Sequence, residues 1–160
     1  MRWILLPALL FTSCLEINET YFQEEPNINY HFDSRLAVYA NEFKVEAQKR
    51  FIEVDLDGLT IAFDSLKKGK LGSYHPIQDC VVMNQNLKDH LVTYSPVVER
   101  VLFHELAHAR LGYLGEFTHV DHETYGDHLM NGDVAITTTE YIKRRDQILD
   151  TLYMGHPEEN

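Results

Sequence analysis

The chain has 160 residues, 44% of them hydrophobic, which suits about one domain with a real apolar core. Acidic residues outnumber basic ones 25 to 14, for a net charge of −11, and that balance argues against nucleic acid or anionic lipid surfaces as direct partners. No internal repeat or low-complexity tract stands out, and no central stretch approaches the ~20 apolar residues of a membrane span.

The N-terminus differs in kind from the rest. Met1-Arg2 is followed by an apolar run over residues 3–11, too brief for a spanning helix, which ends in Thr12-Ser13-Cys14. This resembles the signal peptide and lipobox of bacterial lipoproteins, with Phe11 where leucine is usual. The resemblance implies a signal peptide over residues 1–13, lipidation at Cys14 and attachment to the bacterial cell envelope, on the periplasmic face or the cell surface, by the lipid alone. An ordinary signal peptide, or a hydrophobic start to a cytosolic chain, is the alternative. With Cys14 acylated, Cys80 has no intramolecular disulfide partner, and its place beside Val81-Val82 predicts burial in a strand.

Residues 14–32 are polar and read as a tether, residues 33–155 as the folded domain and residues 156–160 as a tail. From Asp33, a candidate cap, Leu36, Tyr39 or Ala40, Phe43, Ala47, Phe51 and Val54 recur at helical steps. Asp57-Gly58 predicts a turn, and the alternation over residues 59–63 predicts a strand with Leu59, Ile61 and Phe63 inward. Lys67-Lys68-Gly69-Lys70 reads as a solvated basic loop tip. Further strands are expected over 71–75 and 80–84, and a short helix over 87–94. A last helix, about residues 137–154, should turn Tyr141, Ile142, Ile148, Leu149, Leu152 and Tyr153 inward.

Residues 95–131 carry the chemistry. Ser95 suits an N-cap, Pro96 the first helical position, and Glu99 puts negative charge in the first turn. Val97, Val101, His104, His108 and Leu111 share one helical stripe, predicted to be the buried side, whereas Glu99, Arg100 and Arg110 fall elsewhere. His104 and His108 are four apart, so their rings project from one face and can take two corners of a tetrahedral zinc site. Glu105 cannot share their direction but lies close enough to act as base toward a water on the metal. A core helix that merely contains these residues must find partners for two imidazoles and a buried carboxylate, whereas a metal explains all three together.

His104-Glu105-Leu106-Ala107-His108 and the order helix, strands, motif helix, loop, helix resemble the zincin (HExxH) metallopeptidases. The resemblance implies an α+β fold: a small zincin-type catalytic domain with a short mixed sheet packed on the active-site helix, and N- and C-terminal helices. It also implies peptide substrates bound by strand addition, which would involve the strand before the motif helix, at residues 79–84. A third protein ligand is needed for a catalytic zinc. The strict metzincin spacing fails, with Leu111 and Leu114 where glycine and the third ligand would stand. A longer return loop instead offers His119, then His122 or Asp121. A gluzincin arrangement would use Glu140, and is the less favoured. Residues 127–131 resemble a methionine turn, with Met130 as an apolar floor below the metal and His128 as a candidate partner of the site.

The expected function is therefore a zinc metalloendopeptidase, a monomer, with Zn2+ as cofactor, Glu105 as catalytic base and peptide or protein as substrate. The alternatives are a zinc-binding lipoprotein without hydrolysis, favoured by four protein ligands, and a surface-anchored interaction protein with no metal.

Overall fold

The computed structural model describes residues 33–111, 129–130 and 136–154. The leader and lipidation site expected over residues 1–14, and the loop residues His119, Asp121, His122 and His128, lie outside these. The described residues form an α+β fold in which one central helix separates a three-stranded sheet from two further helices. No helix among them is long and apolar enough to cross a membrane.

Asp33 caps the first turn by accepting from the Arg35 amide at 3.0 Å, and a short 3-10 turn, Ser34–Leu36, leads into α1, Ala37–Lys49. Leu36, Tyr39, Ala40, Phe43 and Ala47 are buried, as their spacing predicts. The helix does not continue to Val54. Its end is a Schellman motif: the Phe51 amide donates to Gln48 O and the Ile52 amide to Ala47 O, both at 3.0 Å. Phe51 therefore adopts a left-handed φ of 61° and is fully exposed, where the helical period had placed it in the core. A residue with a Cβ is strained in this position by about 1–2 kcal/mol. Phe51→Gly is thus expected to raise the unfolding free energy by up to about 1 kcal/mol, measured by urea denaturation.

β1 is Thr60–Asp64, β2 Gly72–His75 and β3 Cys80–Asn84, in the spatial order β1-β3-β2. β1 runs parallel to β3, pairing Ile61 with Val81, and β2 runs antiparallel, pairing Tyr74 with Val81. Ile61, Val81 and Met83 point into the main core with Phe63 beside them, and Cys80 is buried as expected. The expectation that residues 79–84 form a peptide-binding edge is corrected here. β3 is the central strand, its hydrogen-bonding groups taken by a neighbour on each side, and β2 is the edge nearest the histidine helix.

A 3-10 segment, Gln85–Val92, stands where a short helix was expected and leads to α2, Pro96–Arg110. Ser95 is the N-cap, but its hydroxyl makes no cap bond. Instead its carbonyl accepts from Glu99 N–H and its own amide donates to Tyr39 Oη at 2.8 Å, tying the start of α2 to α1. Val98, Leu102, Phe103, Leu106 and Ala107 are wholly buried, and each large apolar side chain among them contributes about 1.5–3 kcal/mol. Phe103 meets Phe43 edge-on, with ring centroids 5.1 Å apart.

α3, Thr138–Met154, closes the side of α2 away from the sheet through buried Tyr141, Ile148, Leu149, Leu152 and Tyr153. Ile142, expected inward, is 57% exposed. Non-helical dihedrals at Arg144 (φ −119°, ψ 18°) break the phase, so the inner stripe after the kink does not extrapolate back to Ile142. Glu99, expected away from the packed stripe, is buried too: Arg145 of α3 donates to Glu99 Oε1 at 2.7 Å and to Glu46 Oε1 at 2.8 Å, joining all three helices.

Candidate metal centre

Because α2 is packed on both sides, most of its surface is buried, and the stripe through Val97, Arg100, His104, His108 and Leu111 is its least covered face. The two histidines are accordingly half-buried, correcting the expectation that they sit on the buried side of the helix. Glu105, about 100° further round the helix, is only 7% exposed. The imidazoles thus stay reachable from solvent, while the carboxylate beside them is withdrawn from bulk water.

The rings of His104 and His108 lie 4.7 Å apart at 80° to one another, with their Nε2 atoms facing at 3.1 Å. His104 Nδ1 is 2.8 Å from Leu129 O. A carbonyl only accepts, so Nδ1 carries the proton and donates it, leaving the Nε2 lone pair directed at His108. Two nitrogens each about 2.0–2.1 Å from a tetrahedral zinc would stand roughly 3.3 Å apart, close to the observed separation. The nearest ligating atoms of His104, Glu105 and His108 all lie within 4.8 Å of one another. Two imidazoles, one fixed in its ligating tautomer, together with an adjacent carboxylate, fit a divalent zinc-type cation.

No family model, curated protein or solved structure matches this chain. Met130 follows the carbonyl that orients His104 and is itself 1% exposed, so the 129–130 turn both orients the imidazole and contributes an apolar side chain to the core. Of the expected third ligands, His119, Asp121 and His122 fall outside the described residues. Glu140 is described, and it pairs with Arg144 at 3.4 Å and is not part of the His104–Glu105–His108 group.

Glu105 lies between α2 and β2. Burial pushes its pKa up to about 7, against the opposing pull of the Lys70 charge and of hydrogen bonding from the Tyr74 amide. Gly72 makes this fit. A Cβ on Gly72 would come within 2.6 Å of Glu105 Oε1, 2.7 Å of its Cγ and 2.9 Å of Val101 Cγ1. The strand can pass over the carboxylate only without a side chain at that point. Gly72→Ala is expected to destabilise the fold by about 1–3 kcal/mol and to displace Glu105 while leaving the two histidines able to bind zinc, checked by thermal denaturation alongside zinc titration.

The far end of α2 is clamped by Arg110, whose Nη1 and Nη2 donate to the two oxygens of Asp79 at 2.8 and 2.6 Å, while Nε donates to Asp55 O at 2.8 Å. Tyr74 Oη donates to the same carboxylate at 3.1 Å, so the β2–β3 turn is tied to the helix turn bearing His108. The Arg110 guanidinium holds the Asp79 carboxyl below the usual range. Leu129, Gly72 and the Arg110–Asp79–Tyr74 clamp were not singled out by sequence reasoning. Only Gly72, a glycine within a strand pattern, offered a local signal.

Proposed function

We infer that the protein is a zinc-dependent peptidase of the zincin type, carried on a lipid-anchored N-terminus. The observation that carries this reading is the meeting of His104 Nε2 and His108 Nε2 at 3.1 Å beside the buried carboxylate of Glu105. A zinc ion held there would supply a Lewis acid and lower the pKa of water to about 7. His104 and His108 would be two of its ligands, and His119 in the return loop is the favoured third, with His122 or Asp121 as alternatives.

Glu105 takes the proton from the attacking water and later delivers it to the leaving amine. Its burial supports that role, since a carboxylate withdrawn from bulk water binds a proton more readily than an exposed one. Leu129 O keeps His104 in one tautomer, and Met130 supplies the apolar floor. The substrate peptide lies along the outer edge of β2. Leu71 O accepts from Asn84 N–H at 2.8 Å, so by the alternation of an antiparallel ladder Ser73 and His75 also face β3. Gly72 then presents its amide and carbonyl outward and Tyr74 its carbonyl, next to Glu105, whose carboxyl accepts from the Tyr74 amide.

The test uses untagged protein. About one equivalent of zinc is expected by elemental analysis, with its loss in both His104→Ala and His108→Ala. Digestion of a mixed peptide library is expected to stop on adding a chelator and resume with zinc. Zinc without cleavage would favour the non-catalytic zinc-binding lipoprotein, and absence of zinc would remove the peptidase reading.

A further inference from the structure

The loop Lys67-Lys68-Gly69-Lys70 places three cations in four residues of a chain whose net charge is −11. It leads directly into β2, two residues before the glycine that lies over Glu105. The loop is held rather than loose. Lys70 N–H donates to Lys67 O at 3.0 Å, and Asn84, a buried side chain at the end of β3, donates from Nδ2 to Lys70 O at 2.8 Å while its amide donates to Leu71 O. Lys68 and Lys70 are exposed and make no ion pair among the described residues. Most of the arginines, by contrast, are committed to carboxylates of the same chain: Arg35, Arg50, Arg110, Arg144 and Arg145 each have one.

A peptide antiparallel to β2 runs from Tyr74 toward Lys70. The residue opposite Lys70 is then about two positions C-terminal to the one opposite Gly72, roughly 7 Å further along the strand. We propose that Lys70, with Lys68 beside it, selects substrate peptides that carry a carboxylate about two residues on the C-terminal side of the bond held against Glu105. The inference rests on the peptidase reading and deepens it: with the chain so acidic elsewhere, this loop gives the site its preference. The carboxylate is either an acidic side chain or the free C-terminus of a short peptide, since both present the same group to a lysine.

The experiment measures fluorescence anisotropy of three labelled peptides on full-length, zinc-loaded Glu105→Gln protein, which holds peptide without turning it over. One peptide carries glutamate and an amidated C-terminus, one carries glutamine and a free C-terminus placed to reach Lys70, and one carries glutamine and an amidated C-terminus. At low salt, one or both charged peptides are expected to bind about fivefold more tightly than the neutral one, and which of them does so identifies the source of the carboxylate. The advantage should shrink toward onefold when Lys70→Gln and Lys68→Gln are added, and also at high salt. Equal affinity for all three peptides, or a preference that survives both lysine substitutions, would overturn the proposal. If native protein still cleaves the neutral peptide in a chelator-sensitive way, the peptidase reading survives that failure. If no peptide binds and none is cleaved, both fail together.

Discussion

Replacing Arg145 by methionine is expected to lower the unfolding free energy by about 3–5 kcal/mol, more than any single apolar truncation on the surface of α3 could. The guanidinium donates to Glu99 Oε1 at 2.7 Å and Glu46 Oε1 at 2.8 Å, and those two carboxylates are each 1% exposed. Removing it leaves Glu99 in a low-dielectric position without its cation, which is the costly way to break a buried pair. Adding Glu99→Met to the variant should recover part of the loss, because the unpaired charge leaves with it. Urea denaturation of both proteins checks the direction and the order.

The same network sets the acid limit of the fold. Burial pushes the Glu46 carboxyl up, but hydrogen bonds from Lys49, Arg145 and Arg50 outweigh it and bring the pKa down to about 2 from 4.5. A folded-state pKa below the unfolded one means that the stabilisation is complete above about pH 4.5 and is lost as pH falls toward 2. In a Glu105→Gln background, which removes the carboxyl whose raised pKa of about 7 would add stability as pH falls from 7, melting temperature should accordingly hold between pH 7 and 5 and drop steeply below 4, with a smaller drop when Glu46→Gln is added.

The second large effect concerns Glu105→Gln. Peptide turnover is expected to fall by about 10²–10⁴, with zinc stoichiometry unchanged. Glutamine has the same shape, so it still fits under Gly72, and its carbonyl oxygen can still accept from the Tyr74 amide. What it loses is the ability to take and return a proton. Single-turnover assays with parallel elemental analysis distinguish the roles: zinc lost along with activity would make Glu105 a ligand instead of a base.

Much of the layout was legible from local rules. The 3.6-residue spacing of Leu36, Tyr39, Ala40, Phe43 and Ala47, the alternation around Ile61 and the Ser95-Pro96 helix start each depend on near neighbours in the chain, and each element begins close to where those rules put it. The four-residue step between His104 and His108 likewise needed only helical geometry to bring their rings together. The local rules failed where one local pattern competed with another. Phe51 continues the helical period of α1, yet the chain closes a Schellman turn and leaves it exposed.

What the sequence by itself determined is the set of elements and the pairing of the two imidazoles, because both follow from periodicity within one helix or strand. Tertiary structure alone decided which face of α2 stays open, since that depends on a sheet and two helices packing around it from both sides. It also decided that β3 is interior and β2 the edge, since strand order is a matter of long-range pairing that no strand's own residues encode. The orientation of His104 by Leu129 O and the cover that Gly72 gives Glu105 belong to the same class. Each joins residues distant in sequence, and only close packing brings them together.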